Sequence, residues 1–179
     1  LGLFEQQGYE ATTVNEIADR ADIAYGTFFN HFPTKLDVLR ELSDLALQGM
    51  FENVEEIRKQ RGSFVERLTL LFETTAANAM AERDRTRELV AAMIAMSLPD
   101  VAGNDDRRIR AAFLSLLADG VEAGEVRGDV DLETLGEVVV GTWYSMFTSW
   151  VHFDDYPLRE RAAAAAHFLA SSIAAPQEA

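Results

Sequence analysis

The side chains that could carry out chemistry are few in this sequence of 179 residues, and they form no familiar catalytic set. There is no cysteine, and the three histidines, His31, His152 and His167, lie far apart along the chain. His152 with Asp154 and Asp155 could bind a metal, but these residues look more like an exposed polar loop after an apolar helix. Because no motif joins an acid, a base and a nucleophile, the sequence predicts no catalytic residue, no metal site and no cofactor.

Residues 13–32 have instead the pattern of a binding element made of two short helices. Thr13 and Glu16 are spaced as a capping box, which predicts that a helix starts there. After a tight connection, a second short helix is predicted from Ala24 to His31. Two short helices joined in this way form a helix-turn-helix, a pattern typical of proteins that read DNA.

The residues of this pattern agree in order and spacing with a known family. The segment from Phe4 to Ala21, which contains Thr12-Thr-Val-Asn-Glu-Ile-Ala18, is followed by Gly26-Thr-Phe-Phe-Asn-His-Phe-Pro-Thr-Lys35. The match spans Leu1 to about Leu42 and resembles the TetR family of bacterial transcriptional regulators. The resemblance implies a ligand-responsive, DNA-binding regulator, which we expect to be a repressor that a small apolar molecule releases from its double-stranded DNA operator.

The resemblance also implies which side chains meet DNA. The first residues of the second short helix would face base edges, and residues around it would meet phosphates. Gly26 fits this role, because glycine is unfavourable inside a helix unless the backbone must approach another molecule closely. Thr13 could act as a helix cap alone, and Lys35 could be an ordinary solvated lysine. The residues expected to contact DNA are Thr12, Thr13, Tyr25, Gly26, Thr27, His31 and Lys35.

Charge and composition bear on how DNA would be bound. The net charge is −14, and residues 1–48 carry three basic groups (Arg20, Lys35 and Arg40) against eight acidic ones. Binding by bulk charge is therefore excluded, and operator affinity should be modest and sensitive to salt. The chain opens on Leu1, in what resembles the middle of an apolar helix face, so we expect an N-terminal arm to precede it.

Three positions differ from the residues usual in the family. Asp22 stands where the family has glycine, Ala24 where it has serine and Phe29 where it has tyrosine. With the acidic N-terminal region, these differences leave a second hypothesis open. In that hypothesis the protein is a helical small-molecule-binding or adaptor protein of the same fold that does not bind an operator.

Helix signals recur along the whole chain and no convincing strand is present, so the predicted fold class is all-α with about nine helices. A long helix is predicted from Thr34 to about Gln60, and Asn104 is a candidate cap for a later one. We predict a DNA-binding domain over residues 1–48 and a helical ligand-binding and dimerisation domain over residues 49–179. No apolar stretch is long enough to span a bilayer, so no membrane partner is expected and a cytoplasmic protein is the default.

The second predicted domain is rich in bulky, adaptable side chains. Methionines and aromatics at helical spacing can line an apolar ligand cavity, although such residues can equally serve core packing. From the family resemblance we expect a ligand pocket formed by Leu68, Phe72, Thr75, Met93, Met96, Phe113, Leu117, Trp143, Tyr144 and Phe147.

The helix predicted from Leu132 to Phe153 is apolar nearly all round, which indicates burial on both sides. With the last helix it resembles the paired helices through which TetR proteins dimerise as a four-helix bundle, so a homodimer is expected. An ordinary monomeric core would give the same periodicity. The expected interface residues are Val140, Val151, Leu158, Ala162, Ala165, Ala166 and Leu169.

Overall fold

The computed structural model describes residues 2–96 and 99–175, and these form nine helices with no strand, which confirms the predicted all-α class. In chain order the helices are α1 (Gly2–Ala11), α2 (Val14–Arg20), α3 (Tyr25–His31), α4 (Lys35–Lys59), α5 (Phe64–Ala81), α6 (Arg83–Met96), α7 (Pro99–Glu122), α8 (Leu132–His152) and α9 (Leu158–Ile173). No helix in these ranges is both long enough and apolar enough to cross a membrane.

Polar caps set the starts of four of these helices, and two of these starts, at Thr13 and Thr34, are the ones that the sequence predicts. Thr13, Thr34 and Ser63 each accept a hydrogen bond from the backbone N–H three residues later, and the acidic side chain at that position accepts one in return. Asp131 caps α8 by accepting from Thr134 N at 2.9 Å. Such caps satisfy amides that have no partner inside the helix, which is why they fix where a helix begins.

The predicted start of α7 is wrong. Asn104 was expected to cap this helix, but α7 begins at Pro99, so Asn104 lies inside it. Proline suits the first turn because its missing N–H needs no partner there, and this signal outweighs a possible asparagine cap.

The hydrophobic core lies among α4 to α9. Helix α5 runs along α9, α7 packs against α8, and α6 also contacts α8. Large side chains from several helices are fully buried there, among them Phe64, Phe72, Phe113 and Trp150. Gly136 lets α8 approach α7, since a Cβ at that position would lie 2.6 Å from Leu114 Cδ2.

Two ion pairs join α4, the long helix after the helix-turn-helix, to α7. Near the C-terminal end of α4, Arg58 donates to both carboxylate oxygens of Asp119, at 2.6 and 2.9 Å. Nearer its middle, Asp44 accepts a hydrogen bond from Arg108, whose guanidinium carbon lies 4.7 Å from the centre of the Phe51 ring. These contacts hold α4 against α7, and α4 follows α3 directly in the chain.

Candidate functional site

The geometry of α2 and α3 positions a short helix on the surface of the protein. Ala18 of α2 and Phe28 of α3 are buried, and the rings of Phe28 and Phe32 lie 5.1 Å apart. These contacts fix one side of α3 against its neighbours. Its other side remains open to solvent, which is the arrangement that a helix needs to enter a DNA groove.

The N-terminal residues of α3, here called the reading tip, are all exposed. The reading tip consists of Tyr25, Gly26 and Thr27. A Cβ added at Gly26 would meet no atom within 4 Å, so packing within this chain does not require glycine there. Close approach of this residue to DNA stays a prediction. His31 is exposed at the other end of the same helix.

Two of the three departures from the family pattern lie just before the reading tip, and the third, Phe29, lies on α3 itself. Asp22 has φ 55°, a left-handed conformation, which explains why the family usually has glycine there. Ala24 stands at the N-cap of α3 and offers no capping hydrogen bond. Phe29 is 42% exposed and its ring lies 5.5 Å from that of Tyr25, so these two aromatic rings form an apolar surface beside the tip.

Thr12 does not have the role that was expected. It is 1% exposed, and its hydroxyl donates to Leu3 O at 3.5 Å, so its side chain connects α1 to the start of α2. A buried residue cannot meet a phosphate, and the prediction that Thr12 contacts DNA is wrong.

Thr13 is exposed but already engaged within its capping box. Its amide and its hydroxyl both donate to Glu16 Oε2 at 2.8 Å. These bonds, together with one from Gln7, hold the pKa of the Glu16 carboxyl below its usual range. A carboxylate at the N-terminus of α2 stabilises the helix, but it also competes with a phosphate for the same amides.

Lys35 opens α4 and is half-buried. Within the same turn, the Asp37 carboxylate accepts a hydrogen bond from the Thr34 amide, and its Oδ1 lies 3.4 Å from Arg40 Nη1. The exposed His31 is the last residue of α3, and Lys35 follows it at the start of α4. Their contact with phosphate remains a prediction.

The residues predicted to line a ligand pocket come together around a chain of aromatic rings. We call the aromatic row the set of Phe72, Phe113, Trp143, Phe147 and Trp150. Successive ring centres lie 6.1, 6.1, 4.6 and 6.1 Å apart along it. It connects α5, α7 and α8, and all five rings are buried.

The other expected pocket residues lie beside the row or fall outside the description. Leu68 and Leu117 are buried in the same core, while Thr75 and Tyr144 are half-buried. Met93 and Met96 lie on α6, but their side chains are not among the described residues. Whether this set binds a ligand remains a prediction, because its members pack against one another.

Burial and the nearby carboxylate of Asp106 raise the pKa of the Tyr144 phenol well above its usual range, so this hydroxyl stays protonated. Its ring lies 5.3 Å from that of Trp143. Tyr144 thus joins the aromatic row to an acidic part of α7, where Asp105 is buried.

A separate cleft opens on the surface where α4 ends and α5 begins. It has a volume of about 470 Å³ and is lined by Arg61, Val65, Arg67, Leu70 and Glu73, among others. None of the expected pocket residues lines this cleft.

The expected dimer interface needs correction. Val140, Leu158, Ala162, Ala166 and Leu169 are at most 3% exposed within a single chain, so they belong to its own core and cannot meet a partner. Val151 and Ala165 are half-buried. The bulky apolar sides of α8 and α9 face inward, which periodicity alone did not reveal.

A different face of α8 and α9 is exposed and carries small or apolar side chains. We call it the outer face, and it includes Val138, Gly141, Ser145, Ala164 and Phe168. Val138 is 50% exposed and Phe168 is 69% exposed. These residues are not among those expected from the sequence. Their spacing of three, four or seven on otherwise polar sides of their helices is the signal that could have found them.

The loop after α8 has a structural partner of its own. Arg87 of α6 donates to Asp154 Oδ1 at 2.6 Å and to Val151 O at 2.8 Å. His152 Nδ1 lies 2.7 Å from Thr148 O. In the portion that the structure describes, no three histidine or acidic side chains gather as a metal site would require.

Comparison with known proteins places these features in context. Residues 1–42 match the profile of the family described as "Bacterial regulatory proteins, tetR family". One relative, the HTH-type transcriptional repressor KstR2 of Mycolicibacterium smegmatis, is 28% identical over 154 residues, which make up 80% of this chain and 72% of the relative.

Two solved structures share the architecture of the whole chain. FadR from Bacillus subtilis, in complex with stearoyl-CoA, has a TM-score of 0.82 at 21% identity. The match covers 95% of this chain and 93% of that protein. FadR from Thermus thermophilus, in complex with lauroyl-CoA, has a TM-score of 0.73 at 26% identity, with 99% of this chain and 92% of that protein covered. The helix-turn-helix and the larger helical part are therefore both similar to those of transcriptional regulators.

Proposed function

We propose that this chain, whose residues 1–42 match the TetR family of bacterial regulatory proteins, is a homodimeric repressor that reads operator DNA with α3. In this proposal the aromatic row and its neighbours bind an apolar effector that releases the repressor. The protein acts in the cytoplasm, where its operator is, and it catalyses no reaction.

The observation that carries the proposal is the exposed reading tip of a helix whose opposite side is buried. Phe28 anchors α3, while Tyr25, Gly26 and Thr27 remain exposed at its N-terminal end. A recognition helix contacts base edges with this same end. Gly26, which no contact within the chain requires, supports close approach to DNA.

We propose the outer face of α8 and α9 as the dimer interface. A four-helix bundle needs exposed, small or apolar side chains that let two helix pairs approach, and Val138, Gly141 and Phe168 meet that need. A dimer of this kind presents two reading tips, and the pair compensates for the few cations of each one.

Two classes of effector suit the aromatic row. The FadR structures hold stearoyl-CoA and lauroyl-CoA, and another solved structure similar to this chain is described as a ketosteroid regulator. Both classes have a large apolar body, which the row of aromatic rings would contact favourably. The effector of this chain is therefore proposed to be a fatty-acyl thioester or a steroid.

Effector binding is transmitted through α4 in this proposal. Helix α4 follows directly after α3 and is paired to α7 through Asp44 and Arg58. A ligand that separates α5, α7 and α8 would shift α7 and tilt α4, which changes the spacing of the two reading tips. The effect requires a ligand that binds the two states with different affinity.

The test is a gel-shift assay of the full-length protein with the DNA upstream of its own gene. We expect a shift that the same unlabelled DNA competes away and scrambled DNA of equal length does not. Lauroyl-CoA or androst-4-ene-3,17-dione should then release the DNA. Failure to bind this DNA at low salt would favour the second hypothesis, a binding or adaptor protein that has kept the fold.

A further inference from the structure

Two buried hydrogen-bond donors in the aromatic row have no acceptor. Trp143 and Trp150, the two tryptophans of the sequence, are 8% and 0% exposed. The indole Nε1 of each is buried without a hydrogen-bond partner in the described part of the chain. Native proteins rarely leave such a donor unpaired, so the acceptor is to be sought in a bound molecule.

The other polar groups beside the row are already engaged. Thr75 Oγ1 donates to Leu71 O at 2.7 Å, and the Tyr144 hydroxyl lies close enough to the Asp106 carboxylate for that carboxylate to raise its pKa. The protons of both hydroxyls therefore already face acceptor oxygens of the protein. The indole N–H groups are the donors that a ligand can still satisfy.

Trp143 is better placed than Trp150 to contact a bound molecule. Its ring lies within 6.1 Å of three others, those of Phe113, Tyr144 and Phe147, so it occupies the middle of the aromatic cluster. Trp150 lies at the end of the row and has no exposed surface. An entering molecule would reach Trp143 with less displacement of the core.

The charges around Trp143 restrict the kind of acceptor. Asp106 lies next to Tyr144, and Asp105, one residue earlier on α7, is buried. Arg110 is shared between Asp106 and Glu137, each 4.0 Å away. A carboxylate would be buried near acidic groups without a cation of its own, whereas a carbonyl oxygen accepts a hydrogen bond without that cost.

We propose that the effector carries an uncharged carbonyl oxygen within its apolar body and that Trp143 Nε1 donates a hydrogen bond to it. This inference rests on the proposed function and deepens it by naming the residue that reads the polar group of the ligand. Trp143 then distinguishes a thioester or a ketone from a hydrocarbon of the same shape, as buried polar groups do when a matching ligand satisfies them.

Two tryptophans allow a direct test by NMR. The full-length protein labelled with ¹⁵N gives one indole cross-peak for each tryptophan, and Trp143→Phe and Trp150→Phe assign the peaks of these two residues. The probes are two matched pairs: lauroyl-CoA with its thioether analogue S-dodecyl-CoA, and androst-4-en-3-one with androst-4-ene. In each pair the second compound differs only by lacking the carbonyl oxygen.

We expect at least one carbonyl compound to move the Trp143 indole proton downfield, while its partner compound does not. In the unmodified protein that carbonyl compound should bind about 5- to 20-fold more tightly than its partner. Trp143→Phe should abolish this ratio, and Trp150→Phe, the same change on the same helix, should preserve it.

Other outcomes overturn the inference. Equal affinity within each pair, or a Trp143 proton already hydrogen-bonded to a buried water and unchanged by either compound, would show that Trp143 does not read a carbonyl. If carbonyl compounds still release DNA in that case, the proposed function stands without the inference. If none of the four compounds binds, the effector classes of the proposed function fail and the inference fails with them.

Discussion

Asp22 shows how one residue in the turn before α3 sets the geometry of the proposed DNA-binding surface. Its φ of 55° places it in the left-handed region, where a side chain clashes with its own backbone. Aspartate tolerates this conformation better than most residues, yet it also adds a negative charge beside the reading tip. The same residue therefore affects both stability and DNA affinity.

The first prediction is that Asp22→Gly stabilises the protein by about 0.5–1 kcal/mol, because glycine adopts a positive φ without strain. Urea unfolding measures this change. The variant should also bind the operator more tightly, since a negative charge near phosphate is lost. Asp22→Ala is the control: it removes the charge but keeps the strained Cβ, so it should be less stable than Asp22→Gly. Equal stability of the two variants would contradict the assignment of strain.

Asp105 of α7 is a second residue whose environment opposes its charge. Burial, and the nearby carboxylate of Asp44, raise its pKa above the usual range, although Arg108 acts in the opposite direction. Since the folded pKa lies above the unfolded one, the folded state favours the protonated form. The stability that this preference contributes is complete below the unfolded pKa and is lost as pH rises through the folded pKa.

The second prediction follows from the raised pKa of Asp105 in the folded state. Asp105→Asn should be more stable than the unmodified protein at pH 7, and the difference in stability should narrow as pH falls through the raised pKa of Asp105 toward its ordinary value of 3.8. Thermal unfolding at pH 7 and at about pH 4 measures this difference. Asp84→Asn, which removes an exposed carboxylate of α6, serves as the control and should leave stability nearly unchanged at both pH values. A stability gain that does not depend on pH would contradict this account.

At the scale of elements, local signals predicted the helices well but not which of their faces meet. Thr13, Thr34, Ser63 and Asp131 mark helix starts because a cap acts within one turn of sequence. The start of α7 was missed because Asn104 offered a competing signal inside a continuous helix. Boundaries that depend on local chemistry are predictable, whereas a choice between two local signals depends on tertiary packing.

The inward and outward faces of α8 could not be told apart from the sequence for a related reason. The helix is apolar nearly all round, and Val140 has the same periodicity whether it meets the core or a partner. The structure places Val140 inside and Val138 outside. Likewise, Thr12 and Thr13 are the same residue type side by side, yet the first is buried and the second is exposed.

In the proposed function, helix α4 connects the ligand site to the reading tip. Its ion pair with Arg108 belongs to this connection, because Arg108 faces both Asp44 on α4 and Asp105 on its own helix. Movement of α7 would reach α4 through this guanidinium. A surface ion pair contributes little stability, so its effect on coupling can be separated from an effect on folding.

The third prediction is that Arg108→Gln reduces the effect of the effector on DNA affinity while leaving the fold intact. A coupling of about 1–3 kcal/mol, typical of such systems, should fall by a measurable fraction. Operator titrations with and without lauroyl-CoA provide the measurement. Arg107→Gln, an exposed arginine one residue earlier, is the matched control and should keep full coupling. Retained coupling in Arg108→Gln would exclude this route.

At the scale of the whole molecule, dimerisation decides whether so acidic a chain can bind DNA at all. Two copies place two reading tips on one operator, about 34–36 Å apart or spread wider on a longer site. The interface therefore has a direct consequence for affinity. We assign it to the outer face of α8 and α9, where Phe168 is the most exposed large apolar residue.

The fourth prediction is that Phe168→Glu yields monomers in analytical ultracentrifugation, because a buried charge without a partner opposes association. Operator affinity should fall with the dimer fraction. Leu45→Glu is the control, since Leu45 is an apolar residue that is 55% exposed and lies on α4, outside the proposed interface. A Phe168→Glu variant that stays dimeric would place the interface elsewhere.

The central claim is that the reading tip of α3 contacts DNA bases, and operator binding by Thr27→Ala tests it most directly. Fluorescence anisotropy with DNA from upstream of the protein's own gene should show weaker binding, by about 1–3 kcal/mol, and a changed base preference at one position of each half-site. Lys35→Ala, in the same assay, should weaken binding to all sequences and lower the salt slope by about one. Thr27→Ala that binds the operator with the affinity and preference of the unmodified protein would contradict the account.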